Sequence, residues 1–479
     1  MGTKDDERAG GGSSRRYFGA VETKIRSGTP GFRFAADALL ILLPLQAGLE
    51  RFGRVLGVPT WMIWVVRTVK ELLIAGLVVT FAYLLASGTL RLRVQYLGAA
   101  LIWAILLLYV AVCAVLDGPS LTTLYGFRVY AEPVLAGVAL GALLKHAGAE
   151  RRLLLWLAVM GIVVFAFAAI QALFPFSSVF AALRETTVDR FGELPPALSV
   201  GIINQLRPFA TFSDPNDLGL FGVLVLLSTI GFPAQTRVML RLQRVARWAA
   251  IGGIAITFSR SALLAAVVGL AAIMGTELLF RPELMARVSW TRCVKFSLLI
   301  VSVMVVSVWI GREVPQLQHI ANALSGADPS TRGHLSSLVD GFWKTVEAPG
   351  GIGLGVVGPR AGLYGANAKQ YHVESSFLQI AIELGAPGLL LYLSGWLAAI
   401  GAGLADSSRR RRNNGDADWG RFLVSVLSAQ IVAYFFLPTI VSLQTGAIVW
   451  SVLGVSLASH RSAVSAEGLR DPMVATAPS

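Results

Sequence analysis

The sequence predicts an all-α, polytopic membrane protein with about 12 transmembrane helices and a large outer loop between helices 9 and 10. Three observations carry that prediction. Of 479 residues, 55% are hydrophobic and only 14% charged, which excludes an ordinary soluble domain. Apolar runs long enough to cross a bilayer recur along the chain. The basic residues gather on alternate connections between those runs, as the positive-inside rule requires of a multi-pass protein.

The chain opens with a polar segment, 1–34, whose Gly10-Gly11-Gly12-Ser13-Ser14 stretch marks a disordered cytoplasmic tail. No small-residue cleavage site follows the first apolar run, so that run reads as an anchor and not as a cleaved signal peptide. The membrane domain covers 35–459, with spans expected at 35–49, 60–86, 96–116, 125–144, 153–174, 218–232, 246–258, 262–280, 296–310, 375–403, 422–437 and 440–459. A second cytoplasmic tail covers 460–479. Cytoplasmic connections are marked by Arg91 and Arg93, by Lys145 with Arg151 and Arg152, by the basic residues from Arg237 to Arg247 and from Arg281 to Lys295, and by Arg409 to Arg412. Both termini are then cytoplasmic. The opposite connections are longer and nearly charge-balanced, notably 175–217 and 312–374.

The formal charge of +13 therefore sets orientation and implies no nucleic-acid partner. The two cysteines, Cys113 and Cys293, make no disulfide framework, and the five histidines lack ligand spacing, so neither a metal nor another cofactor is expected. No internal repeat and no pair of matching broken helices is visible, and charged residues are absent from the centres of several spans. Both features argue against a transporter.

Arg260 stands in an apolar tract, in Thr257-Phe258-Ser259-Arg260-Ser261, between two basic flanks that both read as cytoplasmic. A tract with both ends on one side crosses twice, here as two short spans of roughly 17 residues each. The turn then presents Arg260 at the extracytoplasmic face. The outer loop before the sixth span ends in Arg207-Pro208-Phe209-Ala210-Thr211-Phe212-Ser213-Asp214-Pro215-Asn216-Asp217, where Pro215 suits a first helical turn and Asp214 an N-cap. Asp214 and Asn216 are thus either structural caps or neighbours of a site built around Arg207.

The second large loop carries Ser330-Thr331-Arg332-Gly333-His334, an amphipathic segment from Leu335 to Val346, and the string Pro349-Gly350-Gly351-Ile352-Gly353-Leu354-Gly355. Lacking the spacing and the preceding strand of a nucleotide fold, those glycines serve a turn that lets backbone approach a ligand or a neighbouring helix. The loop closes with His372-Val373-Glu374-Ser375-Ser376, where the chain re-enters the membrane at the depth expected for Arg260. Arg207, Arg260 and Arg332 beside Glu374 and His372 make an anion site next to titratable groups. Guanidinium forks match phosphate oxygens, which suits a lipid-linked phosphate or diphosphate. Glu374 is either a charge partner for a helix dipole or a catalytic carboxylate, and His372 either an interfacial hydrogen-bonding residue or an assisting base.

These stretches resemble the O-antigen ligase and polysaccharide polymerase superfamily of bacterial membrane glycosyltransferases. The resemblance runs from roughly Leu72 to Leu393 and rests on Tyr125-Gly126-Phe127-Arg128-Val129-Tyr130, the segment from Arg207 to Asn216, Thr257 to Ser261, Gly353-Leu354-Gly355, Glu374-Ser375-Ser376-Phe377-Leu378 and Glu383-Leu384-Gly385-Ala386-Pro387-Gly388. It implies transfer of glycan from an undecaprenyl-diphosphate carrier at the periplasmic face of the inner membrane, without a metal, with Arg207, Arg260 and Arg332 on the diphosphate. Ligases carry His-Asn before the re-entering helix, where this chain has Glu374-Ser375, a register closer to exopolysaccharide or O-antigen polymerases. Polymerisation of lipid-linked repeat units is therefore expected, with Glu374 orienting the acceptor hydroxyl and His372 assisting. The expected partners are the lipid-linked glycan, membrane lipid, and a chain-length regulator and export proteins. Ligation of finished glycan to a lipid or protein acceptor is the alternative within the fold, and a flippase for such lipids the alternative outside it.

Overall fold

A computed structural model describes residues 30–174, 199–200, 205–232, 234, 236–280, 329–358, 373–412 and 419–459. These form the helices α1 (Pro30–Val55), α2 (Thr60–Ala86), α3 (Leu97–Leu116), α4 (Leu121–His146), α5 (Arg151–Leu173), α6 (Pro215–Gly231), α7 (Arg237–Ile256), α8 (Arg260–Phe280), α9 (Pro329–Glu347), α10 (Ser376–Arg412), α11 (Trp419–Phe436) and α12 (Leu443–Leu457). Among the described residues, seven helices are long and apolar enough to cross a membrane: α2, α3 with the 3-10 turn before it, α4, α5, α8, α10 and α11. Helices α6 and α12 are shorter and apolar. The chain is an all-α polytopic membrane protein; among the described residues the extended pairings are a two-residue antiparallel one, Ser199–Val200 with Gln205–Leu206, just before Arg207, and an isolated bridge between Leu92 and Ala458. The expected ninth span, 296–310, lies outside the described residues, as do most of the two tails and much of both outer loops.

Small residues let the helices meet. On α4, Gly137 and Gly141 lie one turn apart, and a Cβ at Gly141 would stand 2.0 Å from the Ser451 carbonyl oxygen of α12. From the other side, a Cβ at Gly454 would stand 2.4 Å from the Val138 oxygen. Backbones in this contact have no room for side chains, the usual route to tight association where lipid offers no hydrophobic drive. Aromatic rings fill the adjoining space, with Trp103 of α3 4.4 Å from Trp450 of α12 and 5.1 Å from Tyr392 of α10, centroid to centroid.

The expected hairpin around Arg260 is present as α7, a turn and α8, but its two arms are splayed. Helix α6 wedges between them. A Cβ at Gly219 of α6 would lie 2.7 Å from Ala262 Cβ of α8, and one at Gly222 would lie 2.8 Å from Ile254 of α7. The two glycines, one turn apart, are what admit α6 to the cleft.

The expected span at 375–403 is also present as α10, with a break. Gly385 has φ 70° and ψ −177°, and Pro387 follows it inside the helix. A left-handed residue and a proline together interrupt the i to i−4 ladder. The glycine string replaces it: Ile352 N donates to the Ile382 oxygen at 2.9 Å, Gly353 N to the Glu383 oxygen at 3.3 Å, and Ala386 N to the Pro349 oxygen at 2.9 Å. Glu383 itself is buried and accepts from Tyr130 Oη of α4 at 2.7 Å and from Val357 N at 2.8 Å. Of the two uses the glycines invited, close approach to neighbouring helices is the one observed, and one broken helix rather than a matched pair is found among the described residues.

Charge is present inside the helical bundle as well as on the connections. Lys70 of α2 is 1% exposed and pairs with Glu71 at 2.9 Å and with Glu132 of α4 at 3.4 Å, while Arg128 pairs with Glu71 and Glu132, and Arg67 with Glu50 of α1. Three acids thus face three bases, so the network is a neutral strut joining α1, α2 and α4.

The contacts between connections sort by side. Arg93 binds Asp406, and Arg93 N donates to the Leu457 oxygen; Arg152 binds Asp37; Arg421 binds Glu277 and the Gly231 oxygen. All of these join connections expected to be cytoplasmic. At the other end Arg51 donates to the Phe212 and Ser213 oxygens, Asp117 accepts from Leu354 N, and Ser376 binds the Leu437 oxygen.

Candidate active site

The segment from Arg207 to Asp217 is held by groups on two helices, α1 and α5. Gln171 Oε1 of α5 accepts from Phe209 N at 3.0 Å and Ala210 N at 2.9 Å, Gly48 N of α1 donates to the Thr211 oxygen, and Arg51 packs 4.8 Å over the Phe209 ring. Ala210 takes φ 48° under this restraint. The other left-handed non-glycine residue among those described is Phe258, φ 50°, in the turn before Arg260. Such residues cost energy and persist where surrounding structure over-determines them.

Arg207 joins these two strained segments. Its Nε donates to the Thr257 oxygen at 2.7 Å and its Nη2 to Asn216 Oδ1 at 3.0 Å. Burial pushes the guanidinium pKa down to about 10; the Asp214 charge opposes this and the Arg260 charge adds to it. Arg207 is still cationic at neutral pH, and Arg260 is close enough for its charge to be felt. Asp214 is the N-cap of α6, its Oδ1 accepting from Asn216 N at 2.7 Å and Asp217 N at 3.1 Å, with Pro215 in the first turn as expected. Asn216, expected to share in capping, instead turns its side chain to Arg207.

Arg260 is exposed at the first residue of α8. A cation at that end opposes the helix dipole, so its placement works against local stability and favours an arriving anion.

Asp217 links this cluster to the second loop. It accepts from Ser213 Oγ at 2.8 Å, and its charge reaches Tyr434 of α11. The Tyr434 oxygen accepts from Ser375 Oγ at 3.2 Å, and the Tyr434 ring lies 5.9 Å from that of Phe377. The start of α10 is therefore seated on the end of α11 that faces α6. Glu374, two residues before α10, is tied through its backbone: its N–H donates to Ser337 Oγ of α9 at 3.0 Å. Its carboxylate Oε2 meets Nδ1 of His334.

The structure thus sets His334, a residue to which the sequence alone assigns no role, against Glu374. The spacing held a signal: His334, Ser337 and Gly341 share one face of α9, and Gly341 packs against Leu378 and Val373. Arg332 stands in the first turn of α9, and its side chain, like the whole of His372, lies outside the described residues. No cluster of three or more potential metal ligands occurs among the described residues.

Apolar spanning helices, with the buried Arg207 held on the turn before Arg260, describe a polytopic membrane protein that carries cationic side chains at one end of the bundle. Residues 245–393, about a third of the chain, match the family model described as O-antigen ligase. That stretch holds Arg260, His334, Glu374 and the break at Gly385, and it bears out the resemblance to the O-antigen ligase superfamily. The match supports a glycan-transferring function of the O-antigen ligase or related polymerase type. No curated protein matches it.

Proposed function

We propose that this protein polymerises undecaprenyl-diphosphate-linked oligosaccharide repeat units at the periplasmic face of the bacterial inner membrane. The observation that supports the reading is Arg207 hydrogen-bonded to the Thr257 oxygen in the turn before Arg260, whose charge acts on it. As the bond from the anomeric carbon to the diphosphate breaks, charge develops on the leaving oxygen against cations already in place, so little reorganisation is needed. Arg332 extends the cation set, Glu374 orients the acceptor hydroxyl and His372 assists beside it. Asp214 and Asn216 keep the α6 end and Arg207 in register. A chain-length regulator and export proteins are the partners such a polymer requires, and the membrane lipid is the carrier's solvent.

Ligation is the second reading, favoured by the description of the matching family; the Glu374-Ser375 register favours polymerisation. Surface glycan from a deletion strain separates them. Single repeats persisting on the normal acceptor are expected. Unattached long polymer would shift the assignment to ligase, and a wild-type size distribution would remove both.

A further inference from the structure

We propose that His334 is the base that takes the proton from the acceptor hydroxyl, held for that task by Glu374. This inference rests on the glycan-transfer reading above. A carboxylate, with its low intrinsic pKa, is by itself a weak base toward a sugar hydroxyl. An imidazole is the side chain suited to proton uptake near neutral pH, and a carboxylate on one ring nitrogen fixes its tautomer and steadies the imidazolium that forms. The structure supplies this arrangement, with Glu374 on Nδ1, which leaves Nε2 for the acceptor.

Two further contacts show that the pair is positioned and not a chance surface contact. The Glu374 backbone is tied to Ser337, one turn beyond His334 on the same helix, and Gly341 brings α9 close to the start of α10. The opposite face of α9 exposes Leu335, Val339, Phe342, Trp343 and Val346. A helix with an apolar exposed face beside the entry of a membrane helix lies in the membrane surface, where a carrier-borne sugar is presented. In the step, the acceptor oxygen bonds to the anomeric carbon of the donor, its proton passes to His334 Nε2, and the bond to the diphosphate breaks with its electron pair on the leaving oxygen. Water later removes the proton from His334.

The test uses full-length protein in lipid nanodiscs and the lipid-linked repeat unit extracted from the deletion strain. His334→Ala should lower kcat about 100-fold with KM little changed, and added imidazole should restore part of it. His334→Asn, whose amide can stand where Nδ1 stands against Glu374, should be as inactive as His334→Ala, since it cannot take the proton. Near-normal turnover by either variant, a loss confined to KM, or no restoration by imidazole overturns the assignment. Arg260→Ala is measured alongside. If it is inactive while His334→Ala is active, only the base assignment falls; if both are active, or if the wild type turns over nothing, the glycan-transfer site falls as well.

Discussion

At the scale of single residues, Arg207 and Arg260 play unequal parts. Arg207 already spends two donors on Thr257 and Asn216, so Lys in its place would lose the fork that ties the outer loop to the turn. Arg260 is exposed at the start of α8, where an arriving anion can reach it. Arg260→Ala should cost about 100-fold in product formation, and Arg260→Lys should insert normally yet form little polymer because a point charge replaces a bidentate contact. Both are read by quantifying polymer beside protein abundance in membranes. Near-normal polymer from Arg260→Ala would leave that arginine a topological element. The capping role of Asp214 was legible, since an Asp before a Pro before an apolar run has a local cause. The pairing of Glu374 with His334 was not, because 40 residues separate them and only the docking of α9 on α10 brings them together.

At the scale of elements, periodicity and length recovered most helices. The run at 60–86 coincides with α2, whereas α1 and α7 continue several residues into polar sequence because a helix does not stop where hydrophobicity does. The break in α10 was hidden by its own apolar continuity. Gly385 and Pro387 signalled it, but the evidence that a helix is broken and not merely kinked lies in the loop that accepts its place in the ladder. That loop is pinned against α4 with no clearance: a Cβ at Gly126 would stand 2.3 Å from Gly355 N, and one at Gly355 2.1 Å from the Thr122 oxygen. Gly355 also has φ 75°. Gly126→Ala and Gly355→Ala should each lower stability by about 2 kcal/mol or more through overpacking and strain, seen as a reduced melting temperature of detergent-solubilised protein. Glycan transfer should fall with it, since the same loop runs on to the second half of the site. Unchanged melting in both variants would mean that the α4 contact gives way easily.

At the scale of the whole molecule, the two outer segments that bear the polar residues are far apart in sequence and, among the described residues, are joined through α6, α10 and α11. Asp217 accepts from Ser213 at the start of α6, and Ser375 donates to the Tyr434 oxygen of α11. The sorting of inter-loop contacts into two sets fits the alternation of basic connections. The set holding Arg93, Arg152 and Arg421 joins the basic connections, and the set around Arg207 and Arg260 lies at the other end. On the positive-inside rule Arg260 is expected at the outer face. The splaying of α7 and α8 around α6 strengthens the expectation that the turn is a real reversal, since two helices held apart by a third cannot be one continuous span bent at Phe258. A reporter fused after Ser261 should accordingly read periplasmic, while fusions near Arg241 and Arg287 should read cytoplasmic. A cytoplasmic signal at Ser261 would put the paired arginines on the side where no repeat unit awaits polymerisation, and the proposed chemistry would lose its location along with its leaving group.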